Sequence, residues 1–144
     1  MLMWERFQTL LERLPFYRTV STGERGEEKA AEFLARLGYT VVARNWRNPR
    51  DLRDEIDLVC LDGDVLVFVE VKTRAAGALV SGFHAVNKRK KAVVRRTATA
   101  YMRKLNPRPH TYRFDVIEVS VGAGRGVEVR HYENIDLFPK HFRP

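Results

Sequence analysis

The stretch VFVEVKTR, Val67 to Arg74, constrains this chain more than any other. Side chains alternate along a strand, so Leu66, Phe68, Glu70 and Lys72 share one side and Val67, Val69 and Val71 the other. Both sides begin apolar, which places the strand at the centre of a sheet covered on both faces. A lone carboxylate there costs several kcal/mol or takes up a proton. Glu70 and Lys72 therefore call for a reason to be inside.

The preceding stretch EIDLVCL repeats the oddity. Regular alternation puts Glu55, Asp57, Val59 and Leu61 on one face and Ile56, Leu58 and Cys60 on the other. Two turns can join the strands. A Gly63–Asp64 loop of type II′ pairs Asp62 with Val65 and sets Asp57 opposite Glu70 and Glu55 opposite Lys72; an Asp62–Gly63 loop of type I′ makes Asp57 and Glu70 diagonal neighbours. Either way two carboxylates meet, and they repel unless a cation bridges them. Magnesium takes oxygen ligands at about 2.1 Å and needs only one or two protein carboxylates. An ammonium beside such an ion, here Lys72, can orient a water and stabilise charge on an attacked phosphate. The same charges also suit a structural ion pair that holds a hairpin together.

Around this pair the sequence supplies an α/β order. A helix from about Glu24 to Leu37 presents Ala30, Phe33, Leu34 and Leu37 on one side and stops at Gly38. YTVVARNW is a strand, RNPRDLRD a charged loop, and EIDLVCL and VLVFVEVKT two strands around DGD. A helix from about His84 to Leu105 follows, then the strands YRFDVIEVSV and VEVRHY. The expected fold is a mixed sheet flanked by helices in the order α-β-β-β-α-β-β, with one domain over residues 21–138, an extension over residues 1–20 and a tail over residues 139–144. Trp4, Phe7, Leu11 and Leu14 recur at helical spacing, and Glu5, Arg6, Glu12 and Arg13 exclude a secretory signal.

Lysine and arginine number 26 against 18 acidic residues, a net charge of +8. That bias favours polyanions, nucleic acid before acidic membranes. The single cysteine, Cys60, builds neither a disulfide framework nor a zinc knuckle and reads as a buried thiol in a cytoplasmic protein. The histidines His84, His110, His131 and His141 are scattered and are not expected to carry catalysis.

EIDLVCLDGDVLVFVEVKTR resembles the YraN-type family, placed in the restriction-endonuclease-like PD-(D/E)XK superfamily with archaeal Holliday junction resolvases among its relatives. GEEKAAEFLARLGYTVVARNWR and RFDVIEV match the same family, so the resemblance spans roughly Gly23 to Asn134. It implies a restriction-endonuclease-like core. It further implies that Asp57 and Glu70 hold magnesium or manganese, that Lys72 serves catalysis and that Glu27 reaches the site from the first helix. Glu55 occupies the family's acidic position beside the motif aspartate, as a ligand or a support to one. Asp54 departs from the pattern, standing where the family usually has glycine.

The second helix carries Lys88, Arg89, Lys90, Lys91, Arg95 and Arg96, more cationic charge than helix stability requires. Behind such a site these become a phosphate-tracking surface, with Arg47 and Arg74 at strand ends. Lys90 matches the family's recurring lysine on this helix. The expected activity is metal-dependent endonucleolytic cleavage of DNA, branched or structured DNA included, by a protein that pairs as a homodimer and does not engage membranes. The competing expectation is a nucleic-acid-binding module that keeps the fold without catalysis.

Overall fold

The computed structural model describes residues 22–75, 86–122 and 126–144. The amino-terminal amphipathic helix and His84 lie outside the described residues. Helix α1 (Thr22–Arg36) is followed by β1 (Thr40–Asn48), β2 (Asp51–Asp62), β3 (Val65–Ala75), α2 (Lys88–Arg103), β4 (Tyr112–Gly122) and β5 (Gly126–Tyr132). The expected α-β-β-β-α-β-β order holds among these residues. Five strands form one sheet in chain order, antiparallel throughout except for β3 and β4, which run parallel. The connection between that parallel pair carries α2, because parallel strands cannot be joined by a tight turn.

Strand β3 lies at the middle of the sheet, and Leu66 to Glu70 are each no more than 3% exposed. On one face Ala30, Ala31 and Leu34 of α1 pack against Leu58, Cys60, Val67, Val69, Ile117 and Val119. On the other, Val94, Ala98, Tyr101 and Met102 of α2 pack against Ile56, Val59, Leu66, Phe68, Phe114 and Val116. Each fully buried Val, Leu, Ile, Phe or Met among them contributes about 1.5 to 3 kcal/mol by leaving water. Cys60 is buried as expected, and burial pushes its thiol up to about 12.

Gly38, at φ 91°, ends α1 in the left-handed region, while Gly38 N–H donates to Ala35 O and Tyr39 N–H to Leu34 O, each at 3.0 Å. This is the glycine stop read from the sequence, closing the orphan carbonyls of the last turn. Leu37 lies beyond the helix and is 55% exposed, so it does not join the apolar side expected of it. Asn87 caps α2 by accepting from Lys90 N–H at 2.9 Å. The expected charged loop RNPRDLRD shrinks to the turn at Pro49 and Arg50, and DLRD is strand. Asn48 explains the tightness, since its Oδ1 accepts from Arg50 N–H at 3.1 Å and closes a local turn.

Candidate active site

Gly63 has φ 56°, Asp64 has no such angle, and Asp62 pairs with Val65, the first of the two expected registers. The ladder then stops at Leu58 and Val69. Asp57 is therefore not paired with Glu70, nor Glu55 with Lys72. Alternation on β2 also fails: Ile56 joins Val59 on the α2 face, while Leu58 and Cys60 face α1. The break sits level with Asn45 of β1, whose φ is 48°. There β2 leaves its ladder with β3, with Asp57 at the fork.

Instead of a strand partner, β3 meets the Asp57 side chain: Oδ2 accepts from Val71 N–H at 2.7 Å. Burial pushes Asp57 up to about 8, and the Glu70 charge adds to that, with Glu27 behind it. Glu70 is 3% exposed. Its Oε1 receives two ammonium groups, Lys72 Nζ from its own strand and Lys90 Nζ from α2, both at 3.1 Å. Its Oε2 is buried without a hydrogen-bond partner. One carboxylate oxygen is thus doubly saturated and the other wholly unmet.

Glu27 enters from the first turns of α1, where Gly26 lets the helix approach β3 closely: a Cβ at Gly26 would stand 1.8 Å from Thr73 Oγ1. The Glu27 carboxylate accepts from Asn45 Nδ2 at 3.0 Å. Its pKa is raised by burial first and then by Glu55, Glu24 and Glu70, against a smaller opposing effect of Arg44. Glu55 itself accepts from Arg47 Nε at 2.6 Å across the β1–β2 ladder. The fork therefore gathers Asp57, Glu70, Glu27 and Glu55 from three elements, with mutual repulsion that burial intensifies.

The basic residues divide. Arg47 is held by Glu55, and Arg96 forms a bidentate pair with Asp54 at 2.6 and 2.8 Å. Asp54 is 3% exposed, and its hydrogen bonds from Arg96 outweigh burial and hold its pKa below the ordinary value. Asp54 thus ties the start of β2 to α2. Arg74 continues the Glu70 and Lys72 face of β3, and its Nε is buried with no hydrogen-bond partner.

A second polar cluster escaped the sequence reading. Asp115, His131 and Glu133 offer one ligand atom each within 4.8 Å of one another, the one group of three such ligands this close among the described residues; no three carboxylates of the fork come as near to one another. Its groups are already engaged. Asp115 accepts from His131 Nε2 at 2.8 Å, Arg113 Nε at 3.0 Å and Asn134 N–H at 2.9 Å, and Tyr39 OH donates to Glu133 at 2.9 Å. Arg113 also donates to the Tyr39 hydroxyl and, at 2.9 Å, to Asp62. Burial pushes the Asp115 carboxyl up, but the His131, Arg113 and Asn134 hydrogen bonds prevail and lower it. A guanidinium already neutralises this cluster. It acts as a tie between β4, β5 and the start of β1. The spacing of RFD and RHYEN holds no local signal for it, since the contact depends on the β4–β5 register.

The four-carboxylate fork with two ammonium groups, on a mixed sheet between two helices, defines a small α/β protein with a partly buried acidic site. The chain belongs to UPF0102, described as an uncharacterised protein family, whose model matches residues 26–119. It is 43% identical over 112 residues to a UPF0102 protein of Symbiobacterium thermophilum, covering 78% of this chain and 92% of that one. A UPF0102 protein of Chlorobaculum parvum is 41% identical over 111 residues, 77% of this chain and 84% of the relative. One of Nitratidesulfovibrio vulgaris is 40% identical over 100 residues, 69% and 72% of the two chains. Among the described residues no helix is long and apolar enough to cross a membrane.

Proposed function

We propose that this chain is a metal-dependent nuclease of the restriction-endonuclease-like PD-(D/E)XK type, hydrolysing phosphodiester bonds of DNA. The observation that carries the reading is the Glu70 carboxylate, with Oε1 taken by two ammonium groups and Oε2 buried and unmet. A structural ion pair would leave no buried acceptor orphaned, because an unsatisfied charged oxygen costs more than the pair returns.

The donor set fits magnesium or manganese. All four acidic groups offer hard oxygen, and burial together with the Glu70 charge raises the Asp57 pKa to about 8, a repulsion that a bound cation would relieve. Asp57 and Glu70 would hold the ion, with Glu27 and Glu55 at its rim. When bound, it supplies a Lewis acid for a phosphoryl oxygen and a more acidic water.

The chain's own residues do the rest. The Val71 N–H holds Asp57 through Oδ2 at the point where β2 leaves β3. Lys72 and Lys90 hold Oε1 of Glu70, and Lys72, 29% exposed at its side chain, reaches solvent where a substrate phosphate would arrive. Its ammonium donates hydrogen bonds to an attacking water and offsets the negative charge that grows on the phosphate. Arg74, half-buried on the same face of β3, adds a guanidinium charge toward the nucleic-acid backbone.

The test is cleavage of labelled linear, flapped and four-way-junction DNA with magnesium or manganese by wild type, Asp57→Ala and Lys72→Ala. The expected result is metal-dependent cutting that both substitutions abolish. Binding without cutting, equal in all three proteins, would instead identify a nucleic-acid-binding module.

A further inference from the structure

The cations of α2 separate by what they touch. Lys90 lies on the sheet-facing side with Val94, Thr97 and Tyr101 and pairs with Glu70, while Arg96 points to the opposite flank and pairs with Asp54. Lys88, Lys91 and Arg95 stand at i, i+3 and i+7, one strip along the remaining flank. Among the described residues these three make no ion pair. They line a groove of about 440 Å³ whose far wall is Asp136, Leu137 and Phe138 of the carboxy-terminal segment. Arg95 Nη1 reaches the Leu137 carbonyl at 3.5 Å across it, and Leu137 is buried in the core beneath α2.

Two features make the strip costly without a ligand. The first turn of α2 holds no acidic residue and four cations, the reverse of what the helix dipole favours at an amino terminus. Neighbouring like charges on one flank add repulsion. Phosphates relieve both, and a strip one helix flank long, beginning beside Lys90 and so beside Glu70, suits a backbone that continues away from the site.

We propose that the groove between α2 and the carboxy-terminal segment is a phosphate-backbone track, in which Lys88, Lys91 and Arg95 each neutralise a phosphate of nucleic acid running out of the carboxylate fork. This rests on the nucleic-acid reading above and narrows it: Arg96 is excluded from the track, and residues 136–138 become one wall of the interface.

The test is fluorescence anisotropy with a fluorescein-labelled DNA duplex in EDTA, across a salt series. The proteins compared are wild type, the single changes Lys88→Ala, Lys91→Ala and Arg95→Ala, their triple combination, and Arg96→Gln, with thermal melting of each. Each single change is expected to reduce the slope of log affinity against log salt by about one, and the triple by about three. Arg96→Gln should leave the slope unchanged and lower the melting temperature. A normally folded triple variant with the wild-type slope would overturn the track, as would an equal loss of slope in Arg96→Gln or a wild type that does not bind the duplex. Loss of slope without metal-dependent cleavage removes the hydrolytic reading and keeps the track; cleavage with unaltered slopes does the reverse.

Discussion

Asp57 takes the place of a strand residue: its carboxylate, not a backbone carbonyl, receives the Val71 N–H at 2.7 Å where β2 leaves β3. An amide can accept the same bond through its carbonyl oxygen but binds a divalent cation poorly. Asp57→Asn should therefore fold with a melting temperature within a few degrees of wild type. Magnesium or manganese should raise the melting temperature of wild type, since a ligand of the folded state alone stabilises it, and leave Asp57→Asn unmoved. A metal-induced rise in the variant equal to that of wild type would remove Asp57 from the ligand set.

The same carboxyl predicts an unusual pH dependence. Burial and the Glu70 charge raise Asp57 to about 8, whereas an unfolded aspartate titrates near about 3.9. Between those values the folded chain holds a proton that the unfolded chain has released. The contribution of Asp57 is then fully present below the unfolded pKa and is lost as pH rises through about 8. Denaturant melts in EDTA should show stability falling across this window, and Asp57→Asn should flatten that fall.

Gly26 offers a structural test of how Glu27 reaches the fork. In an ordinary helix interior Gly→Ala stabilises by about 0.5 to 1 kcal/mol. Here the added methyl would stand 1.8 Å from Thr73 Oγ1 and 3.0 Å from Thr73 Cβ, so α1 must lift from β3. Gly26→Ala should destabilise by about 1 to 3 kcal/mol, in the range of overpacked cores. Thr73→Ala should recover most of the loss in the double variant; additive losses in urea melts would refute the close approach.

Much of this arrangement could be read from residues alone because it depends on local periodicity. The valines of β3 announce a strand covered on both faces, Gly38 stops α1, and the DGD turn narrows the hairpin to two registers, of which the structure takes the one that pairs Asp62 with Val65. The fork could not be read, because alternation assumes a regular strand. Asn45 and Asp57 break the pleat together, and positive φ at an asparagine leaves little trace in a single sequence. The pairing of Arg96 with Asp54 was equally illegible, because the two lie 42 positions apart. The Asp115 and His131 contact was hidden for the same reason, being made across the β4–β5 ladder.

Strand order that equals chain order also has a temporal side. β1, β2 and β3 are joined by tight turns, so their pairings close short loops, whereas β3 and β4 meet only after the whole segment bearing α2 has been spanned. Short closures lose less chain entropy and form sooner. The meander that brings Asp57 to β3 therefore assembles first, and Lys90 arrives at Glu70 only when α2 docks to let β4 add alongside. Pulse-labelled hydrogen exchange during refolding should protect amides of β2 and β3 before those of β4. Asp57, Glu70 and the strand's own Lys72 should thus be in place before the second ammonium, Lys90, arrives with α2, so Glu70 passes from one counter-charge to two as the fold closes.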